Sequence, residues 1–138
     1  MIYKVIWSFT EDDKVATKEQ HLQKAQHNER FFNSFNLDTT PFLDWVITGI
    51  FYSALHYIRA IASMHKFENI ASYGELDKLF NRLFILKKNP IIYSDYRQLK
   101  DDSRDARYEM VEFTKAEVQD LRDQEYARIK SFALSLIG

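Results

Sequence analysis

The chain of 138 residues contains no cysteine, so it can form no disulfide bond and offers no thiolate for catalysis. Glycine and proline are scarce, with 3 and 2 residues, which argues against a β-sandwich with many tight turns. The net charge of −1 gives no general attraction to nucleic acid, so such binding needs a local basic patch. These absences favour a helical domain in a reducing, cytoplasmic setting.

No segment has the pattern of a membrane span or a secretory signal. The most apolar stretch, residues 41–64, includes Asp44, His56 and Arg59, which indicates a buried helix instead of a membrane helix. His21 and His27 lie six residues apart, off a common helical face, and no His-Glu-x-x-His motif or glycine-rich phosphate loop occurs. We expect a single cytoplasmic domain without membrane attachment, metal or cofactor.

Helix-start signals, by contrast, are abundant. Segments that begin at Thr17, Ser72 and Thr114 fit the capping box, in which a hydroxyl and a Glu or Gln three residues later satisfy free backbone N–H groups. Thr40 and Asn89 each precede a proline suited to the first helical position. The prediction is an all-α, up-and-down bundle of about five helices. They are expected near residues 15–36, 41–66, 72–87, 90–109 and 114–136.

The first residues have a different periodicity. Residues 2–9 alternate with period two and are rich in β-branched and aromatic side chains, which favours a short strand or an extended arm. A lone strand leaves backbone groups unpaired, so it would need a partner, such as its copy in a dimer. We therefore divide the single domain into an extended arm, residues 1–14, and a helical bundle, residues 15–138.

The second predicted helix is apolar around most of its circumference, as expected of a helix surrounded by others. Its polar residues recur every three or four positions, which places them on one face. They are Asp44, Thr48, Tyr52, His56, Arg59 and Ser63. The fourth predicted helix has a polar row of its own, formed by Arg97, Lys100 or Asp101, Arg104, and Arg107 or Tyr108.

The order of three segments resembles that of a HEPN domain, the small helical bundle of prokaryotic RNA-targeting and toxin–antitoxin systems. The segments are Asp44-Trp45 running into FYSALHYIRA at 51–60, YSDYRQL at 93–99 leading into SRDARY at 103–108, and a last helix that starts at Phe113-Thr114. The resemblance covers residues 24–136. It implies a homodimer with a polar cleft at its interface, and a partner such as an antitoxin or a nucleotidyltransferase.

Active members of this family cleave RNA without metal, using an arginine followed after four to six residues by a histidine. This chain departs from that pattern, because Tyr108 stands four residues after Arg104 and no histidine follows His65. Arg59 and His65 satisfy the spacing, but they lie on the second predicted helix, away from the family's position. The resemblance therefore implies the fold more directly than the reaction.

RNA cleavage needs a base to accept the 2′-hydroxyl proton and a cation to stabilise the phosphorane. Arg104 or Arg107 could supply the cation, and His56 on the neighbouring helix is the candidate base. The predicted RNA- or ligand-binding residues are Tyr52, Arg59, Arg97 and Tyr108.

We expect a HEPN-like dimeric domain that binds RNA, a nucleotide or a partner protein with little or no catalysis. A metal-independent endoribonuclease with a rearranged active site is the alternative. In a third interpretation, Asp101, Asp102 and Asp105 pair with the arginines beside them, and the domain serves only for oligomerisation.

Overall fold

The computed structural model describes residues 16–66 and 73–137, and within these ranges every regular element is helical. The predicted all-α class is confirmed. The helices are α1 Lys18–Asn33, α2 Leu43–Met64, α3 Tyr73–Arg82, α4 Phe84–Lys87, α5 Pro90–Tyr108, α6 Lys115–Asp120 and α7 Ala127–Ile137. A π-helical segment, Leu121–Tyr126, joins α6 directly to α7. The predicted N-terminal arm and the capping box at Ser72 lie outside the described residues.

Two helix starts are formed by the predicted capping boxes. The Thr17 hydroxyl accepts a hydrogen bond from the Gln20 backbone N–H, and the Gln20 side chain accepts one from the Thr17 N–H. Thr114 and Glu117 form the same pair of bonds at the start of α6. Each box is contained within four residues, so the local sequence suffices to specify it.

Of the two starts predicted from proline, the one at Pro41 is wrong, and the one at Pro90 is confirmed in position but not in its side-chain cap. Helix α2 begins at Leu43 and not at Pro41, because the Thr40 hydroxyl accepts from the Phe42 N–H in a turn before the helix. Pro90 is the first residue of α5 as predicted, but Asn89 does not cap that helix with its side chain. Its amide instead donates to the carbonyl oxygen of Ile85, 2.7 Å away.

The third predicted helix, residues 72–87, is interrupted. Leu83 has an extended conformation, with a ψ of 117°, which ends α3 at Arg82 and starts the short α4 at Phe84. Leu83 is buried in the core. An apolar residue that maintains the helical spacing gives no local signal of such a break.

Helix α2 forms the centre of the bundle and contacts α1, α5, the π-helical segment and α7. Ser53 bonds to Ala25 and His56 to His21, so α1 and α2 run in opposite directions. The core is built around α2 from large apolar side chains without exposed surface, and it includes Phe51, Ile58 and Tyr96. No helix within the described ranges is long and apolar enough to cross a membrane.

Candidate functional site

Arg107, in the last turn of α5, contacts Tyr52 in the middle of α2. Its Nη1 donates to the Tyr52 hydroxyl at 2.5 Å, and its guanidinium carbon lies 5.4 Å from the centre of the Tyr52 ring. The Tyr108 ring is 5.2 Å from the same carbon. Burial and the neighbouring Tyr73 phenol raise the pKa of Tyr52, so this hydroxyl stays protonated and neutral. Arg107 therefore keeps a full positive charge between two aromatic rings.

A cavity of 270 Å³ opens beside this arginine, between the start of α2 and the end of α5. Its walls are Asp44, Trp45, Thr48, Ala106, Arg107 and Tyr108. A larger hollow of 590 Å³ shares Arg107 and continues over residues 109–113, where Glu109 and Glu112 contribute carboxylates. Three carboxylates line the larger hollow, those of Asp44, Glu109 and Glu112, whereas of the described acidic residues Asp44 alone lines the smaller cavity. The smaller cavity and the adjoining face of α2 therefore disfavour an anion less.

One turn further along α2, His56 meets His21 of α1. The two Nδ1 atoms are 3.1 Å apart, and the ring planes differ by 30°, so the imidazoles share a hydrogen bond. A neutral imidazole carries one proton. The donor ring therefore has a bare Nε2, and the acceptor ring has a protonated Nε2. The pair thus holds one base and one hydrogen-bond donor at its outer nitrogens.

Positive charge surrounds the histidine pair. Burial is the largest of the effects that lower the pKa of His56 to about 4, and the neighbouring His21, Arg59 and Lys24 supply the rest. Burial and Arg59 also lower the pKa of His21. Both rings are therefore neutral at physiological pH, while Arg59 and Lys24 are charged.

These residues form one continuous feature, which we call the α2 strip. It consists of Tyr52, His56 and Arg59 on α2, His21 and Lys24 on α1, and Arg107 on α5. From Tyr52 to Arg59 it extends about 10 Å, given the rise of an α-helix. Within residues 16–66 and 73–137, neither arginine of the strip forms an ion pair, and each has a buried Nε–H without a hydrogen-bond partner.

The structure separates the other predicted site residues from the strip. Arg104 has a side chain 59% exposed and pairs with Asp101 of its own helix at 3.6 Å. Arg97 is exposed and donates to the Tyr93 hydroxyl one turn before it. Tyr108 does border Arg107, with most of its surface open to solvent. Of the proposed catalytic set, Arg107 and His56 thus belong to the α2 strip, whereas Arg104 lies outside it.

Sequence reasoning missed His21 and Lys24. The available signal was their spacing, because residues three apart on α1 share a face, as His56 and Arg59 do on α2. Which faces of the two helices meet depends on how α1 packs against α2, and no local pattern specifies that. In the described part of the chain, no group of three or more His, Asp and Glu side chains is arranged to hold a metal ion.

A second polar cluster lies on the opposite end of α1. The Tyr126 hydroxyl donates to Glu29 at 2.5 Å, Lys130 donates to both Glu29 oxygens, and Ser53 contacts the Tyr126 hydroxyl at 2.8 Å. Tyr126 lies in the π-helical segment, and such segments often occur at functional sites. Here the charges of the cluster neutralise one another, so the arrangement stabilises the core instead of leaving a free binding group.

The chain was compared with protein-family models, with curated proteins and with solved structures, and no match was found in any of the three. The geometry and charge of the α2 strip are therefore what indicates a function for this chain.

The histidine pair predicts an acid-sensitive fold. Because the pKa of His56 falls from about 6.5 unfolded to about 4 folded, the unfolded chain binds more protons between these values. The free energy of unfolding should decrease as pH falls from 7 towards 4. After allowance for solvent screening, we expect about 1–2 kcal/mol from this source.

Urea unfolding at several pH values checks this expectation. The His56→Gln variant should lose less stability than wild type on acidification, while His27→Gln, a change at an exposed residue of α1, should follow wild type. An unchanged pH dependence in His56→Gln would contradict the proposed burial of a neutral pair.

Proposed function

We propose that this protein is a HEPN-like domain that binds RNA or a nucleotide along the α2 strip, with little or no catalysis. The observation that carries the proposal is that Arg59 and Arg107, both partly buried, have no carboxylate partner among the described residues. A partly desolvated guanidinium without a counterion is unfavourable unless an anion from outside completes it. The phosphate groups of RNA are such anions.

The surrounding side chains suit a nucleotide better than a simple anion. Tyr52 and Tyr108 hold their rings beside the Arg107 guanidinium, and Trp45 lines the same cavity with about half its surface exposed. Aromatic faces next to arginine provide stacking surfaces for unpaired bases. The combination therefore favours single-stranded RNA or a free nucleotide over duplex nucleic acid.

Self-association is part of the proposal. Large apolar side chains are exposed around the start of α2 and the loop after α5: Phe42, Trp45, Tyr108, Met110 and Val111. A cluster of this kind is typical of a protein–protein interface. We propose that it serves a homodimer, with an antitoxin or nucleotidyltransferase as the other candidate partner. The absence of cysteine suits a cytoplasmic setting for such an assembly.

Metal-independent RNA cleavage is a second candidate function, favoured by the histidine pair. Its outer nitrogens present one base and one donor close to Arg59, which are the groups that transfer of the 2′-hydroxyl proton requires. The low pKa of His56 makes it a weak base, which argues for slow turnover at most. Incubation of a labelled RNA with the protein and a chelator tests this candidate. Cleavage by wild type that is lost in His56→Gln would show catalysis in addition to binding.

A titration of fluorescent single-stranded RNA with the protein tests the proposed function. We expect a dissociation constant on the order of 10–100 µM near physiological salt, because only three cations line the strip. The logarithm of the binding constant should fall with the logarithm of salt with a slope of about −2, as three phosphate contacts to a single strand imply. Absence of binding, or binding that salt does not weaken, would overturn the proposal.

A further inference from the structure

Arg59 occupies an unusual position for a charged side chain. It lies partly buried on α2, its Nε–H is shielded from solvent, and that group has no acceptor among residues 16–66 and 73–137. Three other arginines of the described ranges pair with carboxylates: Arg104 with Asp101, Arg122 with Asp123, and Arg128 with Asp95. Unlike these three arginines, Arg59 has no carboxylate beside its guanidinium among the described residues, so an anion from outside would neutralise a charge that is costly to bury.

The groups that surround Arg59 in the described part of the chain do not supply that anion. Arg59 is faced by His21 of α1 and by His56 of its own helix, and Lys24 of α1 lies near His56; none of these groups is negative. From α5 the phenol of Tyr96 is close enough to sense its charge, and burial raises the pKa of that phenol, which keeps it neutral. Asp77 acts on Tyr96 as well; its Oδ2 pairs with Lys100 at 3.0 Å, and its buried Oδ1 has no hydrogen-bond partner among the described residues, Arg59 included.

The two helices present these groups as facing pairs. His21 and Lys24 are three residues apart on α1, and His56 and Arg59 are three apart on α2, so each pair shares one helical face. The bond between the two Nδ1 atoms holds the faces together. Lys24 and Arg59 thus flank a pair of imidazoles whose outer Nε2 atoms remain available for hydrogen bonds.

Protonation would change what this pair offers. In the neutral pair only one Nε2 carries a proton, so only one of the two can donate to a phosphate oxygen. A single added proton occupies the other Nε2, which gives two donors and one positive charge. A phosphate beside the pair stabilises that charged form, so binding of the phosphate and uptake of the proton reinforce each other.

We propose that Arg59, Lys24 and the His21–His56 pair bind the phosphate group of the ligand, and that the histidine pair takes up one proton as it binds. This inference rests on the proposed function, because it assigns one end of the α2 strip to the phosphate of the same ligand. The affinity of the strip for this phosphate then depends on pH. The strip binds phosphate more tightly in an acidic medium than in a neutral one.

Calorimetry with the dinucleotide UpU tests this directly, because a phosphodiester keeps its single charge across the range studied. Between about pH 7.5 and pH 5.5 we expect the affinity of wild type to rise about three- to tenfold. Heats measured in two buffers of different ionisation enthalpy should show little proton uptake near pH 7.5 and an uptake that rises towards one proton near pH 5.5. Uridine, which has no phosphate, should show neither effect.

Three variants complete the experiment. Arg59→Gln should bind UpU about tenfold more weakly, and Arg59→Lys should recover part of the loss because it restores the charge without the guanidinium. His56→Gln should remove the pH dependence, while the exposed His27→Gln should keep it. Circular dichroism verifies that each variant is folded. A parallel titration with AMP near pH 7.5 distinguishes the two possible sources of the phosphate, RNA and a free nucleotide. Tighter binding of UpU indicates RNA, and tighter binding of AMP indicates a free nucleotide.

Two results would overturn the inference. One is an affinity of wild type for UpU that does not change with pH, and the other is undiminished binding by Arg59→Gln. If longer RNA then still binds and depends on Arg107, the proposed function stands and only the phosphate assignment falls. If no RNA binds at all, both fail together.

Discussion

Replacing Phe51 by alanine should lower the free energy of unfolding by about 3–5 kcal/mol. Phe51 has no exposed surface, and its ring lies 5.3 Å from that of Tyr52 and 6.0 Å from those of Tyr73 and Tyr96, measured between centres. It thereby joins α2 to α3 and α5. Truncation would remove apolar contacts from three helices at once and leave a cavity that these helices cannot easily close.

The matched control is Phe84→Ala. The Phe84 side chain is 72% exposed at the start of α4, so its loss should change the free energy of unfolding by less than about 1 kcal/mol. Urea unfolding of the two variants beside wild type gives the comparison. Equal destabilisation by both substitutions would show that α2 is not the centre of the core.

Local hydrogen bonding explains which parts of the fold the sequence predicts well. The capping boxes at Thr17 and Thr114 form within four residues, so the side chains that decide them are adjacent in the chain. The break at Leu83 is different, because a leucine at helical spacing satisfies the helix pattern and is also suited to a buried turn. Whether Leu83 continues the helix or forms a turn depends on how α3 and α4 pack onto the core, and no short segment encodes that packing.

In the candidate site, too, local sequence predicts some features and packing decides the others. The spacing of Tyr52, His56 and Arg59 predicts a shared face of α2, and the structure places all three on its partly exposed side. Arg104 and Arg107 are one turn apart in the sequence, yet only Arg107 faces Tyr52. The rotation of α5 about its axis selects between them, and that rotation follows from how the whole helix packs.

The register between α1 and α2 is also invisible in a single sequence. It brings His21 to His56 and Lys24 to their side, so the strip gains charge and a hydrogen bond from a helix to which no site residue was assigned. A single histidine such as His21 on a helix surface does not indicate a site. Its pairing with His56, which only the structure shows, does. The predicted site residues thus include four of the six residues of the strip, the four that lie on α2 and α5.

The central claim is that the α2 strip, and not basic charge in general, binds the phosphate-bearing ligand. Two double variants with the same change in net charge test it. Arg59→Gln with Arg107→Gln removes both unpaired arginines of the strip, whereas Arg97→Gln with Arg104→Gln removes two exposed arginines that have partners on their own helix. Each protein is titrated with the same fluorescent single-stranded RNA at one salt concentration.

We predict that the strip variant loses about 100-fold in affinity, because two charge-assisted contacts of about 1.4 kcal/mol each are removed. The surface variant should lose less than about threefold, since exposed charges act only through a screened field. Equal losses in the two variants, or a larger loss in the surface variant, would contradict a specific role for the α2 strip.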